Sequence, residues 1–159
     1  MKITLICVGK IKERFFSDAI NEYSKRLSKF CDLKIIELPD EKTPDKLSEI
    51  ENNKILDIEG ERIIHKIPKG SFVYTMEIDG KNFDSEALSS EFAGRMNDGI
   101  SHFCFIIGGS LGLSDNVKKL SDFHLSFSKL TFPHQLMRVI LLEQIYRSYK
   151  IMANEPYHK

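Results

Sequence analysis

The chain has 159 residues, of which 42% are hydrophobic, and its 23 basic side chains balance its 23 acidic ones. This length and composition predict one folded domain over residues 1–159 and exclude a disordered or fibrous chain. Zero net charge removes the usual electrostatic footprint of a nucleic-acid-binding protein, although a local basic patch remains compatible with it. No segment has the roughly 18 consecutive apolar residues of a membrane helix, and the first residues lack a signal-peptide pattern. We therefore expect a cytoplasmic protein with no membrane partner.

The three cysteines lie far apart in the sequence and form no C-x-x-C pair: Cys7, Cys31 and Cys104. This spacing excludes zinc and thioredoxin-type sites, so no metal is expected. Because Cys7 and Cys104 lie inside apolar runs, they are expected to pack in the core.

The first half of the chain alternates predicted strands and helices. Lys2–Gly9 is a β-branched apolar run that predicts a buried strand. Arg14–Phe30 repeats apolar residues at helical spacing, and Asp32–Asp40 indicates a second strand. Thr43 is a good N-cap ahead of Pro44, so we expect a helix from there to about residue 66.

The second half continues the same alternation to the end of the chain. The predicted elements are, in order, a strand at Ser71–Ile78 with a turn at Asp79–Gly80, a helix capped by Asp84 or Ser85 and running to about Asn97, a strand at Ser101–Gly109, a short helix from about Ser114, a strand at Phe123–Ser128, and a helix from about Pro133 to Met152.

Strands that alternate with helices predict an α/β fold, with a mostly parallel sheet flanked by helices. Ligands of such sheets bind beyond the carboxyl ends of the strands. Three of these ends carry glycines or polar residues among apolar ones: Thr75–Glu77, Ile107–Leu113 and Phe127–Phe132. We expect a ligand site there.

The segment "GGSLGLS" (Gly108–Ser114) follows a predicted strand and opens a helix. Its glycines would allow a ligand to approach the backbone closely. It matches neither the dinucleotide-binding nor the nucleoside-triphosphate-binding glycine pattern. On its own it is compatible with a tight strand-to-helix turn or with a cofactor loop.

The last predicted helix is apolar around nearly its whole circumference, which indicates burial on all sides. One face would pack on the sheet and the other on a second subunit, with a central core helix of a monomer as the alternative. Glu143 and Arg147 have the i, i+4 spacing of an ion pair. Arg138 has no evident local partner near the helix start, so we expect it to have an anionic partner or a functional target.

The C-terminal segment is basic in an otherwise neutral chain, which is a modest phosphate-binding signal. From residue 129 onward its basic residues outnumber Glu143 and Glu155; they are Lys129, Arg138, Arg147, Lys150 and Lys159. The polar tail after Met152 is compatible with a frayed terminus. Its Tyr157 and His158 can also stack and exchange protons, which favours a role in a site.

These motifs together resemble the RlmH family of SPOUT-class methyltransferases, which methylate N3 of a pseudouridine in 23S ribosomal RNA. The resemblance covers essentially the whole chain, including "KITLICVGKIKERF", "LPDEK" and "EGERI". It is strongest in "FIIGGSLGLS", "LSFSKLTFPHQLMRVILLEQIYRSYKI" and the terminal "PYHK". The glycine loop and the S-x-x-T-F-P-H turn are specific only in combination.

The resemblance implies a homodimer with a SPOUT-type α/β knot, a deep trefoil knot in the C-terminal region. It also implies S-adenosylmethionine (SAM) as cofactor and the ribosome as partner, with RNA recognition by the dimer. Carried onto this sequence, the cofactor contacts are Met76, Gly108, Phe127, Ser128, Lys129, Leu130, Thr131 and Phe132. Family members can have Leu at position 76, and Met has a similar volume, so the contact should survive.

In the implied reaction the enzyme places the methyl donor and N3 in a near-attack geometry, worth about 7–11 kcal/mol. A base must take the N3 proton, worth about 10²–10⁴-fold. His158 and Tyr157, from the partner subunit, are the predicted catalytic residues for this step. Arg138 would hold a phosphate or stabilise the uracil oxygens. His134, beside Pro133 at the helix start, is a less favoured base and would cap or orient the turn. The target base must leave its stack.

Three other interpretations stay open on the sequence alone. A Rossmann-like NAD- or nucleotide-binding enzyme is disfavoured by the missing glycine pattern. A non-catalytic ribosome-associated factor would keep the fold and lack the chemistry. A structural dimer whose polar turn is only a turn would bind no cofactor.

Overall fold

The computed structural model describes residues 1–44 and 46–157. Strands and helices alternate along them in the order β1 (Lys2–Val8), α1 (Arg14–Leu27), β2 (Asp32–Leu38), α2 (Glu49–Ile64), β3 (Phe72–Asn82), α3 (Ser85–Asn97), β4 (His102–Ile107), α4 (Asp115–Lys118), β5 (Phe123–Ser126) and α5 (His134–Met152). Among these described residues, no helix is both long and apolar enough to cross a membrane.

The strands form one sheet in the order β2-β1-β4-β3-β5, and each neighbouring pair is parallel. The α/β prediction is confirmed, and the sheet is parallel throughout its described strands. Parallel pairing places all the carboxyl ends at one edge. This edge carries the three segments at which the sequence predicts a ligand site.

Helices cover both faces of the sheet and bury two apolar layers. On one face Leu5 and Phe105 pack with side chains of α1, α3 and α5, and on the other Ile6 and Ile106 pack with α2 and α4. Alternation of side chains along each strand separates the layers. Cys7 and Cys104 are fully buried in opposite layers, so their predicted core packing is confirmed.

The predicted start of α2 at Pro44 was wrong. The helix begins at Glu49, where Ser48 and Glu51 form a reciprocal capping box: the Glu51 amide donates to Ser48 Oγ, and the Ser48 amide donates to Glu51 Oε2. Two amides without helical partners are satisfied there. Thr43 instead lies in the connection before the helix, with its hydroxyl 3.2 Å from Ser110 Oγ.

The predicted turn at Asp79–Gly80 was also wrong, because β3 continues to Asn82. Its pairing with β5 shifts between Met76 and Lys81, as in a β-bulge. A Cβ at Gly80 would lie 2.7 Å from the carbonyl carbon of Leu125, so only glycine allows the two backbones to come this close.

Candidate functional site

A cavity of about 730 Å³ opens at the carboxyl edge of the sheet, between the ends of β3, β4 and β5 and the start of α5. This volume suits a small-molecule ligand. Two segments form most of its lining: Gly108–Leu113, here called the glycine wall, and Phe127–Pro133, here called the open wall. The remaining contacts come from the ends of β3, β4 and β5 and from α5, which contributes His134 and Met137.

The glycine wall is folded onto its own backbone. Gly112 has a φ of +87° and donates its amide to Gly109 O at 3.1 Å. A Cβ at Gly108 would lie 2.3 Å from Gly112 O. This distance is too short for a contact between a carbon and an oxygen atom, so no other residue fits at this position. Gly108 is therefore required by the closure of the loop itself, before any ligand is considered.

A buried carboxylate stands behind the glycine wall. Glu59 of α2 is only 5% exposed, and its Oε1 accepts the Glu41 amide at 2.9 Å. A Cβ at Gly109 would lie 3.0 Å from Glu59 Oε2. Burial raises the pKa of Glu59 above its ordinary value. Sequence reasoning missed this residue, although it lies in the quoted motif "EGERI".

The open wall is held by hydrogen bonds at its start, and further along the segment an apolar side chain is exposed. Ser126 Oγ donates to Ile78 O at 2.9 Å, and Leu130 N donates to Ser128 Oγ at 2.9 Å. Beyond that point the Leu130 side chain is 70% exposed. The open wall thus presents apolar surface to solvent beside a cavity.

The cavity brings together seven of the eight residues predicted to bind the cofactor: Met76, Gly108, Phe127, Ser128, Leu130, Thr131 and Phe132. The eighth, Lys129, is not part of the lining. Its exposed ammonium lies 3.2 Å from Asp79 Oδ1. Lys129 therefore belongs to the segment but points to a surface carboxylate.

Two titratable side chains at the cavity were not predicted as cofactor contacts. Glu77 Oε1 accepts the Thr75 hydroxyl at 2.6 Å and lies 2.6 Å from His124 Nδ1. His134 is half-buried, and its Nε2 would lie 3.1 Å from a Cβ at Gly9. Burial and the Arg138 charge lower the pKa of His134, so its ring is neutral at neutral pH.

Arg138 is buried beside the cavity rim with 1% exposure. Its Nη1 donates to Glu37 Oε1 at 2.6 Å, and its Nη2 donates to Gly9 O at 2.7 Å and Val8 O at 3.2 Å. Its Nε has no hydrogen-bond partner among the described residues. The sequence predicted either an anionic partner or a functional target for Arg138, and in the structure Glu37 is the anionic partner.

The predicted catalytic tail follows α5, and its Tyr157 folds back against that helix. Tyr157 donates to Glu143 Oε1 at 3.1 Å, and the Arg147 guanidinium lies 4.8 Å from its ring centroid. Partial burial raises the pKa of Tyr157 to about 12. These contacts place the Tyr157 side chain beside the middle of α5, and it is not part of the lining of the cavity of its own chain. His158 lies outside the described residues.

The basic C-terminal segment is largely neutralised within the chain. The predicted ion pair of Glu143 with Arg147 is confirmed. Other cations of this segment have carboxylate partners too, in the pairs Lys129–Asp79, Arg138–Glu37 and Lys150–Glu155. The phosphate-binding signal inferred from this segment therefore weakens. The described residues also contain no cluster of three or more His, Cys, Asp or Glu that could hold a metal ion.

A parallel α/β domain with a cavity beside a glycine-rich loop at its strand ends belongs to a class of folds that bind small molecules. The family model described as "Predicted SPOUT methyltransferase" matches residues 1–158, and the chain belongs to this family. A Bifidobacterium animalis subsp. lactis protein named "Ribosomal RNA large subunit methyltransferase H" is 54% identical over the full length of both chains. A Methanococcus maripaludis protein that carries this name provisionally is 60% identical, also over both full lengths.

Two solved structures share the fold at low sequence identity. A probable methylase family protein from Haemophilus influenzae Rd KW20 has a TM-score of 0.53 at 11% identity, covering 99% of this chain and 70% of that chain. The Legionella pneumophila protein Lpg2936, provisionally described as a methyltransferase and solved with the bound cofactor SAM, has a TM-score of 0.52 at 13% identity. That match covers 94% of this chain and 66% of the Legionella chain.

Proposed function

We propose that this chain is a SAM-dependent methyltransferase that methylates N3 of a pseudouridine in large-subunit ribosomal RNA, on assembled ribosomes in the cytoplasm. Full-length relatives at 54% identity and above carry the name of a large-subunit ribosomal RNA methyltransferase. The observation that carries the proposal is the cavity, in which the predicted cofactor residues meet beside the glycine wall.

The cavity has the chemistry that SAM requires. Met76, Phe127 and Phe132 offer apolar surface for a flat adenine, and Ser128 and Thr131 offer hydroxyls for polar groups. Glu77 adds a carboxylate, which suits ribose hydroxyls or the cationic groups of SAM. The folded glycine wall exposes backbone groups without bulky side chains.

When bound, SAM supplies an electrophilic methyl group for transfer to a ring nitrogen. The two walls would hold the donor and exclude water, so that N3 can be brought into line with the methyl group. N3 must lose its proton, and His158 with Tyr157 is the proposed acceptor and its positioning partner. Arg138 was expected to act on the RNA phosphate or the uracil oxygens, but it is 1% exposed and bonded to Glu37, so we propose that it acts by fixing the Val8 and Gly9 carbonyls at the rim.

The position of the tail favours a homodimer as the active form. Because the Tyr157 side chain is held by Glu143 and Arg147 and does not line the cavity of its own chain, we infer that a tail that completes the site comes from a second copy. Half-buried apolar side chains along α5, including Leu136, Val139 and Ile140, supply a surface for that copy. We also propose the trefoil knot of this family for the region from β4 to α5, since the two cavity walls lie within it.

The test is transfer of a labelled methyl group from SAM to ribosomes purified from cells that lack this protein. We expect one labelled pseudouridine in large-subunit RNA, mapped by mass spectrometry, and no labelling of ribosomes that lack pseudouridine. Ribosome binding without transfer would support a non-catalytic factor instead, and NAD binding in preference to SAM would support a Rossmann-like enzyme.

A further inference from the structure

The turn between β1 and α1, residues Gly9–Glu13, is built into the rim of the cavity. Arg138 donates to Gly9 O at 2.7 Å, and Gln135 Oε1 accepts the amides of Lys12 at 2.9 Å and Glu13 at 3.4 Å. Both side chains belong to the first turns of α5, next to His134, which lines the cavity. The start of α5 therefore fixes this turn in position.

The fixed turn presents free positive charge to solvent. Lys10 and Lys12 are exposed, and neither forms an ion pair with a described residue. Arg14 Nε lies 3.7 Å from Asp18 Oδ2, but both side chains are largely exposed, so the pair is weak. Glu13 is the only acidic residue among positions 10–14, and Glu37, which accepts the Ile11 amide at 3.1 Å, is already paired with Arg138. This patch contrasts with the C-terminal segment, where the cations pair with carboxylates.

An exposed aromatic ring completes the patch. Phe15 is 63% exposed, and its ring contacts Phe16 at a centroid distance of 4.4 Å. Cations on a fixed backbone with an accessible aromatic ring are the elements that bind single-stranded nucleic acid, through phosphates and stacked bases. An acidic peptide would pair with the cations but would not account for the exposed Phe15 ring, so nucleic acid is the better match.

We propose that Lys10, Lys12, Arg14 and Phe15 form an RNA-binding surface that holds the unpaired nucleotides flanking the target base. The lysines and Arg14 contact backbone phosphates, and Phe15 stacks on a flanking base. This inference rests on the proposed function, since it requires an RNA substrate at the adjacent cavity. Because phosphate contacts position RNA without reading its sequence, the surface contributes affinity and register rather than the choice of base.

The test compares two double variants of equal charge on purified ribosomes from cells lacking this protein. Lys10→Ala/Lys12→Ala should raise the KM for ribosomes about tenfold or more, leave SAM affinity unchanged, and make the salt dependence of binding shallower by about one to two in log–log slope. The control is Lys25→Ala/Lys29→Ala, near the opposite end of α1. Its KM for ribosomes, SAM affinity and salt dependence of binding should equal those of the wild type. Equal KM values for the two double variants would overturn the proposal.

Phe15→Ala tests the aromatic part, with Ile50→Ala, another exposed apolar residue, as its control. We expect the KM for ribosomes to rise about fivefold or more, with unchanged mass by light scattering. A change of oligomeric state without a change in RNA affinity would assign Phe15 to a contact with a second copy and overturn its stacking role. If the wild-type protein transfers no methyl group, the proposed function fails; if it does and the variants match their controls, only this inference fails.

Discussion

The two walls of the cavity are held in different ways. The glycine wall closes on its own backbone through Gly109 and Gly112 and leads into buried Leu113. The open wall is tied to β3 through Ser126 and then leaves Leu130 70% exposed. One wall is complete without a ligand, whereas the other has apolar surface to bury. We infer that the glycine wall sets the shape of the site and the open wall closes on the cofactor.

Neither wall supplies the proton acceptor that the proposed reaction needs. We therefore predict that a mutation in the tail can abolish methyl transfer without affecting SAM binding. Deleting Tyr157–Lys159 should leave SAM affinity nearly unchanged and lower the methyl-transfer rate by about 10²-fold or more. Calorimetry with SAM and single-turnover labelling of ribosomes measure the two quantities. Full activity in the truncated protein would exclude the tail from catalysis.

Replacing a leucine by alanine should have different consequences in the two walls, with a loss of stability in the glycine wall and a loss of SAM affinity in the open wall. Leu113→Ala removes a side chain that is 5% exposed and should lower the free energy of unfolding by about 2–5 kcal/mol. Leu130→Ala should leave stability unchanged and weaken SAM binding about tenfold, because its apolar surface is buried only in the complex. Urea unfolding and calorimetry distinguish them. Equal losses of stability would contradict the contrast between the walls.

The closure of the glycine wall can be tested with a single methyl group. Gly108→Ala places a Cβ against Gly112 O and should lower the free energy of unfolding by about 1–3 kcal/mol, with loss of SAM affinity. The matched control is Gly94→Ala in α3, where a Cβ meets nothing within 4 Å. That variant should be neutral or stabilising by up to about 1 kcal/mol. Similar behaviour of the two variants would refute the packing argument.

His134, at the junction of the open wall and α5, should give the smallest effect. Its pKa in the folded protein is lowered by burial, Arg138 and Lys12 and raised by Asp40, with a net decrease. A lowered histidine pKa contributes stability above the unfolded-state pKa and loses it as the pH falls through the folded-state pKa. The difference in unfolding free energy between wild type and His134→Gln should therefore shrink from about pH 8 to about pH 5. A pH-independent difference would show that His134 does not titrate as proposed.

The order of strands and helices was predictable because hydrophobic periodicity records burial directly. Asp84 or Ser85 was expected to cap the third helix, and Asp84 caps α3. The start of α2 was mispredicted because Thr43-Pro44 is a good local signal, yet Ser48 and Glu51 satisfy more amides. Asp79-Gly80 has the sequence of a turn, but contact with β5 keeps it in the strand.

The site was predictable in its segments and less so in its polar partners. The resemblance placed residues 127–132 at the cofactor, and six positions in a row were named without distinguishing Lys129, whose side chain points to Asp79. Glu37 and Arg138 are 101 positions apart, and no local pattern could pair them. Glu59 was missed for the same reason, whereas Glu77 belonged to the predicted strand end Thr75–Glu77 without being named as a cofactor contact.

The most direct test of the account is amide hydrogen exchange with and without saturating SAM. We predict slower exchange in both walls, with the larger change in residues 127–133, where Leu130 is 70% exposed. NAD at the same concentration should change neither wall. Unchanged exchange in both walls on addition of SAM, or slowing confined to another part of the chain, would contradict the assignment of the cofactor site.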